Sequence, residues 1–200
     1  MLPLLTCEQM RALDRAAIAA GIPGRVLMEN AATAALSVIQ AEHPAYAAIF
    51  CGKGNNAGDG FALGRRLFVS GIPTEIVLCA DPSSLSDDAE ANYKAACRIG
   101  VPTTSFADFQ SRASLPDRGV LVDALLGTGI RGPVQGTIEA AITYMNESGC
   151  RVVSLDIPSG ICGDTGKVCA GNQNTYKICQ CAFGNNPCAA CAVFIVNSGL

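Results

Sequence analysis

The sequence predicts an α/β domain with a mainly parallel sheet covered by helices on both faces. Short apolar runs alternate with helical stretches of about ten residues or more, the pattern of repeated strand–helix units. Three of those runs end in loops rich in glycine and acidic residues, as strands do when their carboxyl ends carry a site. A length of 200 residues, half of them apolar, suits one domain with a well-filled core.

Thr6 followed by Gln9 fits a capping box that opens a first helix, with Gly21 as its stop. A second helix runs from about Pro23 to Gln40, with Val26, Leu27, Ala31, Ala34, Ala35 and Val38 at helical spacing. Ala45–Cys51 reads as a buried strand, Gly60–Ser70 as a helix and Glu75–Cys79 as a strand. Ser86–Ile99 is the next helix, with Asp87 and Asp88 at its positive end. Val120–Leu125 is a strand, Gln135–Asn146 a helix and Arg151–Ile157 a strand.

Composition narrows the function. A net charge of −3 gives no general attraction to nucleic acid or to an anionic membrane surface. No window approaches the roughly 18 apolar residues of a membrane span, and the opening MLPLLTCEQM lacks the basic region of a signal peptide. Five cysteines before residue 160 sit in or beside apolar segments, as reduced thiols of a cytosolic core do. A cytoplasmic location is therefore expected.

The chemistry is expected in three loops at one rim of the sheet. The first, Gly52–Gly60, is a strand-to-helix loop whose glycines and following amides could receive a phosphate. It is neither a Walker loop nor the dinucleotide fingerprint, because the spacing of Gly52, Gly54 and Gly58 misses it. The alternative is a tight turn, although Asn55, Asn56 and Asp59 are more polar than a plain turn needs. In the second loop, Asp123–Pro133, Asp123 interrupts an apolar strand, so its charge needs a cation, a donor or a ligand. The third, Asp156-Ile157-Pro158-Ser159-Gly160, again places an acid at a strand end.

Leu27–Ala31, Gly52–Gly60, Asp123–Pro133 and Asp156–Gly160 together resemble the signature blocks of the NAD(P)H-hydrate epimerases, also called the YjeF N-terminal domain. The resemblance implies a Rossmann-like three-layer αβα sandwich with a mainly parallel sheet and two N-terminal helices, over residues 1–166. It implies interconversion of the R and S forms of hydrated NADH and NADPH (NADHX and NADPHX), with a separate ATP- or ADP-dependent dehydratase as functional partner. Carried onto this chain, Asn55, Asn56, Ala57, Gly58, Asp59, Gly127, Thr128, Gly129, Ile130, Arg131, Gly132, Pro133 and Asp156 would contact substrate. Asn56, Asp123 and Ser159 would hold potassium. Epimerising the hydrated carbon needs a positioned carboxylate, which assigns Asp156 as catalytic with Asp59 second in line, unless both only orient substrate hydroxyls. Arg131 either offsets a phosphate charge or is solvated. A homodimer through the amino-terminal helices is a further implication.

Two departures from the family stand out. Ala57 replaces a usual glycine, which would cost about 1 kcal/mol if the position required a left-handed backbone. Residues 167–200 lack the family's closing strands and carry Cys169, Cys179, Cys181, Cys188 and Cys191. That spacing could ligate zinc, but a divergent tail or a shifted reading frame explains the changed composition better. The lost strands would leave a bare sheet edge beside the Asp156 strand. A non-catalytic nucleotide-binding or protein-interaction module on the same fold is the alternative function.

Overall fold

Helices on both faces of a sheet in the order β3-β2-β1-β4-β5-β7-β6 form three layers in the computed structural model. The structure describes residues 5–112, 114–130, 132–169, 179–181 and 193–196. Five neighbouring strands are parallel: β1 (Tyr46–Cys51), β2 (Thr74–Leu78), β3 (Thr103–Ser105), β4 (Gly119–Ala124) and β5 (Arg151–Leu155). The strand order reverses between β1 and β4, which makes their carboxyl ends the crevice of the sheet.

Helix α1 (Cys7–Ala19) opens with the anticipated capping box, in which Thr6 and Gln9 satisfy each other's backbone amides. Helix α2 (Gly24–Ala41) buries Met28, Ala32, Ala35 and Ile39, a stripe rotated from the anticipated one that leaves Val26 exposed. Its Glu29 bonds both Arg65 and Arg66 of α3 (Asn55–Val69) and so pins the two helices together. Together with α4 (Asp87–Arg98), these helices cover one face of the sheet. The other face is covered by α5 (Phe106–Gln110) and α6 (Gly136–Glu147), where Phe50, Phe106, Phe109 and Tyr144 meet edge to face or tilted. β3 and α5 are too short for periodicity to reveal.

Three expectations change. Helix α3 starts at Asn55 rather than Gly60, so most of the presumed glycine loop is the first turns of a helix. Ala57 therefore lies in a helical turn and is fully buried, and alanine carries no left-handed penalty there. The edge beside β5 is also paired: β7 (Val193–Val196) runs antiparallel to it, from Val152↔Val196 to Leu155↔Val193, and β6 (Cys179–Cys181) follows. Cys188 and Cys191 lie outside the described residues, so the proposed zinc set has no described geometry.

Close approach of β1 to β4 explains Gly52. A Cβ there would overlap the Leu125 carbonyl oxygen, so the first two loops touch only because the side chain is missing. Gly52→Ala is expected to lower stability by about 1–3 kcal/mol, read from the urea midpoint at unchanged m-value.

Candidate active site

The three strand-end loops meet around Asp123, which is 0% exposed at the end of β4. Its carboxylate accepts from the Ser159 amide at 2.8 Å, the Ser159 hydroxyl at 2.6 Å, the Ser154 hydroxyl at 3.2 Å and the Leu125 amide at 3.2 Å. Ser159 Oγ in turn accepts from the Leu126 amide at 2.9 Å. Asn56, on the first turn of α3, donates through Nδ2 to the carbonyls of Leu126 at 2.7 Å and Leu155 at 3.3 Å. Those two acceptors settle which end of the amide is nitrogen. Its Oδ1 is buried with no hydrogen-bond partner among the described residues. Asn56, Asp123 and Ser159 thus gather at one point, where each comes from a different loop.

A second cluster lies beside them. Asp156 follows β5 with φ +65°, a left-handed backbone that aspartate tolerates and that concentrates at functional positions. Its Oδ2 accepts from the Thr128 amide at 2.6 Å. A Cβ on Gly127 would overlap that same oxygen, so the glycine makes room for the carboxylate. Burial raises the Asp156 pKa, the Thr128 hydrogen bond opposes it, and Asp14 and Arg11 then push it up and down respectively, leaving it raised. Asp59 is pushed up to about 8 by burial and by the charges of Asp156 and Asp14. Burial thus moves both carboxyl groups toward the neutral form; Asp59 keeps its proton at neutral pH, while Asp156 also accepts the Thr128 amide.

The remaining candidates are more peripheral. Asn55 is exposed and accepts from the Ser86 hydroxyl at 3.2 Å. Gly54 caps α3 without a side chain, which leaves the leading amides of that helix available to an anion. Ala57 and Gly58 are buried, with Gly58 against Met28 and Ala89, so they pack the helix instead of lining the rim. Ile130 is partly buried, while Gly129, Gly132 and Pro133 are exposed farther along the second loop. Arg131 lies outside the described residues.

Sequence reasoning missed the part played by α1. Arg11 Nη1 donates to the Thr128 carbonyl at 3.0 Å, and Asp14 acts electrostatically on both Asp59 and Asp156. The spacing of Cys7, Arg11 and Asp14 along one helical stripe was the available signal. A cleft of about 950 Å³ opens elsewhere, at the amino ends of the strands between Glu42, Arg112, Gly119 and Arg151. Glu75 and Glu42 already pair its Arg112 and Arg151, and ligands of parallel sheets bind at the opposite end, so the three-loop rim is the better candidate site.

Fold and rim together define an α/β protein with a polar, acid-bearing site at the switch point of a Rossmann-like sheet. Residues 24–183 match the family described as YjeF-related protein N-terminus, and the chain belongs to that family. It is 36% identical over 178 residues to the NAD(P)H-hydrate epimerase of Rhodopirellula baltica, covering 88% of this chain and 72% of that one. The NAD(P)H-hydrate epimerase of Limosilactobacillus fermentum is 35% identical, with 82% and 78% covered. The bifunctional NAD(P)H-hydrate repair enzyme Nnr of Thermofilum pendens is 37% identical over 80% of this chain, which spans only 32% of that protein. A crystal structure of yeast ynu0 superimposes with a TM-score of 0.72 at 19% identity, covering 84% of this chain and 75% of that one, a likeness of fold.

The raised Asp59 pKa has a consequence for stability. Below about pH 4 the carboxyl is protonated folded or unfolded, and no penalty arises. Between there and about 8 the unfolded chain releases the proton and the folded one keeps it, so stability falls as pH rises through that window. Asp59→Asn is expected to raise Tm, with the gap over the parent widening from pH 5 to pH 8 and constant above.

Proposed function

We propose that this chain is an NAD(P)H-hydrate epimerase, interconverting the R and S forms of NADHX and NADPHX. Membership of a family whose relatives bear that name supports the reading. The observation that carries it is the placing of two buried carboxyl groups at one rim, Asp59 holding its proton at neutral pH and Asp156 fixed by the Thr128 amide.

The substrate carbon bears a hydroxyl next to the ring nitrogen. Protonated Asp59 gives its proton to that hydroxyl, which leaves as water while the nitrogen lone pair forms an iminium bond. Water then adds to the opposite face of the carbon, and Asp156 in its carboxylate form takes the proton it releases. One proton has moved from Asp59 to Asp156, so reaction in the reverse sense, or exchange through water, resets the pair. Gly127, Thr128 and the leading amides of α3 orient the nucleotide, with Asn55, Gly129, Ile130, Gly132 and Pro133 along its path.

The donor set of the first cluster fits potassium. It offers one carboxylate, one hydroxyl and one buried amide oxygen without a partner among the described residues, all hard oxygens with a single negative charge. Asn56, Asp123 and Ser159 would hold the ion, which when bound would offset the Asp123 charge and stiffen the meeting point of the loops.

The product feeds an ATP- or ADP-dependent dehydratase, the partner activity that the bifunctional names of longer relatives bring to mind. Pairing of two copies through the amino-terminal helices is supported by Leu13, Ile18, Ile22 and Val26, all exposed there. A cytoplasmic location is supported by the buried thiols of Cys7, Cys51 and Cys79, none of which pairs with another cysteine among the described residues. Among the described residues no helix is long and apolar enough to cross a membrane.

Purified protein mixed with R-NADPHX is expected to accelerate conversion to the S form, faster with potassium than without. Asp156→Asn is expected to lower the rate by about 100-fold or more. Activity is also expected to decline above about pH 8, as Asp59 loses its proton. A rate no faster than the spontaneous one would favour the non-catalytic binding module.

A further inference from the structure

The second loop has little stiffness of its own. Gly127, Gly129 and Gly132 give its backbone more freedom to lose than any other composition would. Yet the Thr128 amide must stay within 2.6 Å of Asp156, whose left-handed backbone persists only if its surroundings fix it. The fixing group comes from α1. Cys7, Arg11 and Asp14 stack along one stripe of that helix, and the stripe is tied to the rim at two points. The Cys7 amide donates to Asp164 Oδ1 at 2.7 Å, and Arg11 Nη1 donates to the Thr128 carbonyl at 3.0 Å. Thr128 therefore receives Arg11 on its carbonyl and gives its amide to Asp156.

We propose that Arg11 is a positioning residue for Asp156, holding Thr128 so that its amide orients the carboxylate toward the reacting carbon. Arg11 acts through the loop and does not touch the reacting atoms. A guanidinium suits the task because it is always charged and directs its donors from a rigid plane. Its charge also lies within electrostatic reach of Asp156, in a place where Asp14 and Asp59 add only acid. Helix α1 is thereby a wall of the site as well as a surface for pairing.

The kinetic arm of the test rests on the epimerase reading, and the structural arm does not. In the full chain, Arg11→Ala is expected to lower kcat by about ten- to a hundredfold with KM changed much less, the cost of a catalytic group set slightly out of place. Free guanidinium ion at sub-denaturing concentration restores part of the lost rate, and Arg11→Lys retains more of it than alanine does. Hydrogen exchange at the Thr128 amide rises about tenfold in Arg11→Ala and falls again with guanidinium. Unchanged exchange at Thr128 would overturn the proposal, as would an unchanged kcat in an active enzyme. A loss of rate that tracks a lowered Tm and resists guanidinium would reduce Arg11 to a fold-stabilising contact and overturn it too. A parent protein with no epimerase activity would sink the function alone, and the exchange measurement would then decide Arg11.

Discussion

The fully buried carboxylate of Asp123 is the constraint around which the site is built. A charge removed from water at the end of an apolar strand is costly, and its cost is met here by donors from three segments. Because two of those segments are β5 and the turn after it, satisfying Asp123 draws the end of β5 against the end of β4. Ser159 then hands the connection to Leu126, and Asn56 reaches the same carbonyl from α3. The second and third loops meet at that charge, and the first joins them through Asn56.

From that anchor the acid–base pair follows by exclusion of space and water. Gly52 lets the first loop touch the second, and Gly127 lets the Asp156 carboxylate lie against the second. Asp59 arrives on the second turn of α3, already close to Asp14 and Asp156, where burial and like charge favour its neutral form. Strain at Asp156 and a proton held by Asp59 both lower stability locally, the usual condition of a site whose groups are arranged for chemistry.

Much of this was legible in the chain. The alternation of strands and helices, the capping box at Thr6 and the three acid-bearing strand ends all follow from patterns that span fewer than about twenty residues. The start of α3 was less legible, because glycine and asparagine signal turns more strongly than helices. The same bias made Ala57 look like a compromised turn residue when it is a buried helical one. β3 and α5 escaped because three and five residues cannot display a period.

The sequence by itself determined which residues end each strand, and hence that Asp123, Asp156 and the Asn55–Asp59 segment share one rim, since parallel strands all point their carboxyl ends the same way. Only the tertiary structure decided that α1 lies across that rim, that Asp156 takes a left-handed backbone, and that β7 pairs with β5. Those outcomes depend on partners distant along the chain, such as Arg11 with Thr128 or Val152 with Val196. Local propensity sees only neighbours along the chain, whereas these choices are made by burial and hydrogen bonding between segments that meet only after folding.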